Sequence, residues 1–440
     1  MKTIRSFTIV LTTLSVLLIS SCSGKQNKQD TASITADSTT TKTPKDNKGI
    51  TLPDGFSATV FADKLGGGRH IAVAENGNVY LALSSLNNGA GIAALRDKDN
   101  DGHADITEYF VKTQTTGMAV KNGYLYYSNA AEVYRVPLSG DELVPKAEQE
   151  VIATGFERQN QHQDKTFTLD NDGNIYVNVG APSNACQERD RTPDSKGIDP
   201  CPQLKRHAGI WRFKADKSNQ DQVKDGHRYA SGIRNSVAIT WNPNNNMLYV
   251  VQHGRDQLFQ FYPALFTEQQ GAELPAEEFL QVNDGDFFGW PYCYYDQFQK
   301  TKLLAPEYGG DTKTKGRCTD AKNPILAFPG HLAPNALLFY TGSMFPEKYK
   351  NGAFIAFHGS WNRAPQEQKG YFVVFVPFRD GQPAAEWEVF ADGFAGVKPI
   401  KNMNEIMYRP TGLAQGPDGS LYISDSEKGR IWKVVYNGQK

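Results

Sequence analysis

The 440-residue sequence holds only five cysteines, and no two of them form a CxxC pair. Without that spacing a zinc site is a poor reading of the cysteines. No CxxCH run occurs either, so no haem attachment is coded. Charge of one sign is also missing: 47 Lys and Arg face 48 Asp and Glu, and no stretch gathers the bases into a stripe. Nucleic acid is thereby an unsuitable partner. The one long, mostly apolar run, Phe7 to Ile19, is too short to span a bilayer comfortably. Helical periodicity is absent between the strand-like segments.

What is present is a repeat. Six copies of an apolar strand, a tight turn and a second strand run through 69–83, 116–129, 162–180, 234–254, 334–359 and 409–425. The first reads RHIAVAENGNVYLAL and the last RPTGLAQGPDGSLYISD. Repeated strand hairpins without intervening helices predict an all-β fold, a six-bladed β-propeller. Blades pack on their neighbours, so nearly the whole of 51–440 fits one such domain. In four copies a basic residue lies about 8 to 11 residues before the turn, and the repeat brings them together at one end of a central channel. They are Arg69, His162, Arg234 and Arg409.

The N-terminus reads as an address. Lys2 and Arg5 precede the apolar run, which ends in Ile19-Ser20-Ser21-Cys22. This is a secretory signal over 1–21 with small residues before a cysteine. It resembles a bacterial lipobox, which implies cleavage before Cys22 and lipidation of its thiol. Residues 22–50, rich in Ser, Thr, Lys and Asp, are expected to be a disordered tether. The protein is thus expected to be an exported lipoprotein, held to a membrane by lipid alone and facing the periplasm or cell exterior. Four cysteines remain in an oxidising compartment, an even number. Of three pairings, Cys186–Cys201 and Cys293–Cys318 are favoured, since each staples a long loop.

His162, in QNQHQDK, stands at a strand entrance among polar residues. A neutral imidazole there suits a general base acting on a substrate hydroxyl. Arg234 and Asn235 occupy the equivalent point of the next blade, where a guanidinium suits a carboxylate or a developing oxyanion. Three arginines and a histidine around one mouth suggest a small polyanionic ligand. Gly254 permits a close backbone approach, so carbonyls at 254–255 suit a hard cation. Separately, DKDNDGHADITE (97–108) fits the twelve-residue calcium loop. Asp97, Asp99, Asp101 and Glu108 stand at ligand positions, with strands rather than helices on either side. An acidic inter-strand turn is the plain alternative.

With these residues in hand, the chain resembles the glucose/sorbosone dehydrogenase family, soluble quinoproteins that use pyrroloquinoline quinone (PQQ). The likeness runs from about 51 to 437 and is closest to the sorbosone and pyranose dehydrogenase branch. It is carried by GFSATVFAD, ALRDKDNDGHAD, GIRNSVAITWNP, FFGWPYCYYD, AFHGSWNR and RPTGLAQGPDGSLYISD. The resemblance implies PQQ and calcium at the channel mouth, a small sugar as substrate and a separate electron acceptor. It makes His162 the base and Arg234 the cation beside the reactive quinone oxygen. Asn235, Arg69 and Arg409 would contact PQQ, and the backbone carbonyls of Gly254 and Arg255 would hold calcium. His358, Trp361 and Arg363 of HGSWNR would line the cofactor's rim. Residue 255 departs from the glucose-oxidising branch, which places Pro there.

Two other classes stand beside this reading. One is a non-catalytic propeller that binds carbohydrate or a partner protein. The other is a calcium-dependent hydrolase of the lactonase type, which needs carboxylates and Asn side chains holding a metal in the channel.

Overall fold

The computed structural model describes residues 47–438. The expected signal peptide, Cys22 and most of the expected tether lie outside the described residues. The packed chain starts slightly earlier than expected. Ile50 is buried, and Asn47 Oδ1 accepts the Ala58 amide at 3.2 Å.

Each of the six sequence repeats is the inner hairpin of one antiparallel blade. The first blade runs Gly68–Val73, Val79–Asn87, Ala90–Arg96 and Ile106–Phe110. The next four begin at Met118–Lys121, Phe167–Leu169, Ala238–Asn242 and Pro334–Phe339. In the sixth, Pro410–Gln415, Leu421–Asp425 and Ile431–Tyr436 are completed by the N-terminal strand Phe56–Ala62. Phe56 pairs with Tyr436 and Val60 with Trp432, so the two ends of the chain close the ring. The innermost strands contact one another in a cycle, first to second and onward to sixth, then back to first.

The alternation of apolar residues explains this arrangement. A blade strand is covered on both faces by neighbouring blades, so its two alternating sets are both apolar. Thus Leu421–Asp425 is buried throughout. Six apolar clusters result, each built from the facing sides of two adjacent blades. The cluster at the ring closure joins Phe56, Trp432 and Ile423 to Phe354, Phe375 and Phe390.

A seventh cluster covers no blade face. Cys186–Cys201 and Cys293–Cys318 are both disulfides, as expected, and they pack together with Trp290, Tyr292 and Ala321. The loops they staple are tied by Tyr292 Oη, which accepts the Cys201 amide at 2.9 Å, and by the Arg317–Asp199 pair at 2.8 Å. These loops form a roof beside the channel mouth. The long insertion after the fourth hairpin supplies two short helices, Leu258–Phe261 and Glu268–Glu273, and a small hairpin, Cys293–Asp296 with Thr301–Leu304. Among the described residues no helix is long and apolar enough to cross a membrane.

Candidate active site at the channel mouth

In a blade the start of the first strand and the end of the second lie at the same face. Residues there converge on the channel axis, those singled out by the repeat among them. His162 precedes Phe167–Leu169, Arg234 precedes Ala238–Asn242, His253 follows Met247–Gln252, and His358 follows Ala353–Phe357.

His162 takes a positive φ of 51°. Its loop is pinned by Gln159, whose Nε2 donates to the carbonyls of Gln161, His162 and Gly180 at 2.6, 2.9 and 3.0 Å. Gly180 is required where it stands. A Cβ there would lie 2.6 Å from His162 Cβ and 2.8 Å from Asn235 Oδ1. Nδ1 of His162 lies 2.6 Å from the Ala181 carbonyl, which fixes the proton on Nδ1 and leaves Nε2 with a lone pair. Burial and the nearby Arg234 charge lower its pKa to about 3. The imidazole is therefore neutral, as a base requires.

Arg234 is buried and bound on every side. Nε donates to Asn184 O at 3.1 Å, Nη1 to Gly254 O at 2.8 Å, and Nη2 to Asn184 Oδ1 at 3.0 Å and Asp256 Oδ2 at 2.9 Å. Asp256 is the hub that sequence reasoning missed. It also accepts from Arg191 Nη2 at 2.8 Å and Asn362 Nδ2 at 2.6 Å, with His331 Nδ1 4.0 Å away. Burial alone would raise its pKa, but Arg234, His331 and Arg191 hold it well below the usual carboxylate range. Asn235 sits beside Arg234; its Oδ1 accepts from Asn178 Nδ2 at 3.1 Å, and its carbonyl accepts the His253 amide at 2.9 Å.

Across the channel, Arg69 is paired with Asp164, which also accepts from Thr116 Oγ1 at 3.0 Å. Arg409 donates from Nε to His358 O at 3.1 Å and lies 3.5 Å from Glu427. His358 Nε2 is 2.7 Å from Ser426 Oγ. Two further imidazoles, unremarked in the sequence, rest on consecutive residues of the fifth blade. His253 Nε2 lies 2.7 Å from Pro334 O, and His70 Nε2 lies 2.8 Å from Asn335 O. Burial lowers both pKa values to about 4. A cavity of about 150 Å³ adjoins His70, lined by Ile71, Met118, Phe167 and Leu337 of the innermost strands.

The three arginines that suggested a polyanionic ligand are each already paired with a carboxylate. Arg69, Arg234 and Arg409 face Asp164, Asp256 and Glu427 respectively.

The HGSWNR segment is also assigned differently. Arg363, 2% exposed, donates to the carbonyls of Glu367, Ala272 and Gly330 at 3.1, 2.6 and 2.9 Å and to Glu273 at 2.5 Å. Its guanidinium is a strut between loops and does not line a rim. Asn362, its neighbour, is the residue that reaches the site, through Asp256. Trp361 is 57% exposed beside it.

The acidic loop 97–108 joins the third and fourth strands of the first blade, which places it on the face away from the mouth. It gathers Asp97, Asp99 and Asp105, whose oxygens lie within 4.8 Å of one another. Asp101 and Glu108 stand outside that group. Asp101 Oδ1 caps the His103 amide at 2.8 Å, and Glu108 points out from a strand. The spacing suggested the twelve-residue pattern, but a strand in place of the second helix carries residue 108 away.

Backbone oxygens at 254–255 with an ionised carboxylate at 256 are donors of the hard type calcium takes. The Gly254 carbonyl already accepts from Arg234, and the Gly254 amide donates to Glu277 Oε2 at 2.9 Å. Burial pushes the Glu277 carboxyl up to about 8. The mouth also suits a planar polyanion. Arg69 and Arg409 keep part of their side chains open, at 17% and 18%, and neutral imidazoles lie between them.

The chain is a closed ring of six blades, with a neutral histidine, a clamped arginine and paired cations at one channel mouth. A family model described as TrAA12-like matches residues 50–437, and the chain belongs to that family. A pyrroloquinoline quinone-dependent sugar dehydrogenase of Hypocrea jecorina is 24% identical over 406 residues, covering 86% of this chain and 87% of the relative. A pyrroloquinoline quinone-dependent pyranose dehydrogenase of Coprinopsis cinerea is 28% identical over 261 residues, 52% of this chain but 34% of that longer protein. A calcium structure of a Trichoderma reesei carbohydrate-active enzyme of family AA12 superposes with a TM-score of 0.73 at 19% identity, covering 88% of this chain and 97% of that one.

Proposed function

We propose that the protein is a PQQ-dependent sugar dehydrogenase that oxidises an aldose, sorbosone or related pyranose and passes electrons to a separate acceptor. The observation that carries this reading is the tautomer of His162. Its Nδ1–H is committed to Ala181 O, and the Nε2 lone pair is left for a substrate hydroxyl. The family and the names of its relatives support the same chemistry.

When bound, PQQ would accept the hydride, and calcium would polarise its carbonyl as a Lewis acid. The chain's own residues do the rest. His162 Nε2 takes the hydroxyl proton, which spares the site a free alkoxide. Arg234, held at four hydrogen bonds, presents fixed positive charge where an oxyanion grows. Arg69, Arg409 and Asn235 would hold PQQ, and Gly254 with Arg255 the calcium. The stapled roof excludes water from one side of the mouth. Asp164 and Asp256 are committed to arginines rather than converging on a metal, which weighs against the lactonase reading.

Export as a lipoprotein anchored at Cys22 remains part of the proposal, resting on Lys2, Arg5 and the apolar run before Cys22.

The test is a visible spectrum of purified protein with calcium and PQQ, before and after adding aldoses. Quinone bound and then reduced by a sugar, but not in His162→Ala, is the expected result. No quinone uptake at micromolar concentration would sink the reading in favour of a binding propeller.

A further inference from the structure

Asn184 stands two residues before Cys186, the first cysteine of the Cys186–Cys201 staple, and it is fully buried at 0% exposure. Its side chain meets two elements at once. Oδ1 accepts from Arg234 Nη2 at 3.0 Å and from the Asp256 amide at 2.8 Å, while Nδ2 donates to the Asp256 carbonyl at 3.1 Å. The amide therefore satisfies both backbone groups of Asp256, as a neighbouring strand would. Its own carbonyl accepts from Arg234 Nε at 3.1 Å and from Trp290 Nε1 at 3.0 Å. Trp290 packs in the cluster that holds both disulfides.

Half of the four hydrogen bonds around the Arg234 guanidinium thus end on residue 184. The other two end on Gly254 and Asp256, the segment that Asn184 itself clamps. The circuit is closed. A carboxylate at 184 would accept but not donate, and an apolar side chain would do neither. Only a side-chain amide of this length completes every bond.

We propose that Asn184 is a positioning residue that fixes Arg234 and the 254–256 segment as one rigid unit and anchors that unit to the disulfide-stapled roof. The consequence for turnover rests on the functional reading of Arg234 above; the clamp itself does not. A long, rotamer-rich arginine held this way presents its charge without reorganisation when it is needed. A loosened guanidinium would still bind substrate, but would stabilise the developing charge less.

Amide hydrogen exchange on the purified protein without cofactor reads the clamp directly, in wild type, Asn184→Ala and the milder Asn184→Ser. The Asp256 amide is expected to exchange at least tenfold faster in the variants. The Thr116 amide, bonded to Ser128 O at 3.0 Å in the second blade, serves as the unchanged control. Equal protection at Asp256 in whichever variant folds overturns the proposal. With PQQ and calcium added, kcat per quinone-loaded molecule is expected to fall at least tenfold while KM for the sugar stays within threefold. A kcat equal to wild type overturns the link to Arg234. A wild type that takes up no quinone refutes the functional reading instead, and the exchange result then decides the clamp alone.

Discussion

Asp164 and Arg69 meet at the channel mouth from different blades, the third and the first, and each blunts the other's charge. The pair is partly open, at 25% and 17% side-chain exposure. A ligand carboxylate that sought Arg69 would therefore have to share it. Asp164→Asn keeps its one side-chain oxygen as an acceptor for Arg69 and turns an amide N–H towards the Thr116 hydroxyl, which can accept it, while removing the competing charge. Tighter PQQ binding is expected, by about 1 kcal/mol or roughly fivefold, the scale of a partly exposed pair. A fluorescence titration of quinone into both proteins measures it, and weaker binding in the variant would show that Asp164 serves to aim Arg69.

The buried imidazoles give the fold a pH dependence whose sign is fixed. Burial lowers the His70 pKa to about 4 and, with Arg234, that of His162 to about 3. In the unfolded chain both titrate near 6.5. Below that pH the unfolded state binds more protons than the native one, so stability is full above about 6.5 and falls as the pH drops towards the folded pKa values. Each such histidine contributes up to about 1.4 kcal/mol per pH unit over that window. Melting temperature is expected to fall steadily from pH 7 to pH 5, less steeply in His70→Gln. Over the same range kcat/KM should show no acid limb from His162, which stays unprotonated. A stability flat between pH 5 and 7 would contradict the buried neutral state.

The ring of blades was legible because period-2 alternation and turn residues are local signals, repeated six times. All six inner hairpins fall where the repeats lie. Of the residues found by register, His162 and Arg234 lie near each other, with Asn235 and Gly254 beside them. What escaped notice were their partners. Asp256 and Asp164 carry no motif of their own, Asn184 reaches the mouth from a loop whose path depends on tertiary packing, and Glu277 does so from the start of the strand Glu277–Val282, which follows a long insertion. The tight pairing of the arginines was invisible for the same reason. Register says which residues share an end of the channel, but it does not say which of them already hold each other. Arg363 shows the complementary failure. Its place in HGSWNR suggested the rim, whereas the chain turns between Asn362 and Arg363 and sends the two side chains to different neighbours.

That divergence makes a discriminating pair of substitutions. Arg363→Met removes four hydrogen bonds and leaves Glu273 buried with Lys369 at 3.5 Å as its remaining cation. Stranding one member of a buried pair costs about 3–5 kcal/mol. A drop of that size in urea-unfolding free energy is expected, with quinone affinity of the folded fraction unchanged. Asn362→Ala should do the reverse. It removes the 2.6 Å bond to Asp256, a residue in contact with Arg234, and touches no apolar core. Turnover is expected to fall several-fold with stability nearly intact. Were Arg363→Met to weaken quinone binding while Asn362→Ala left turnover unchanged, the assignment of strut and site residue would have to be exchanged.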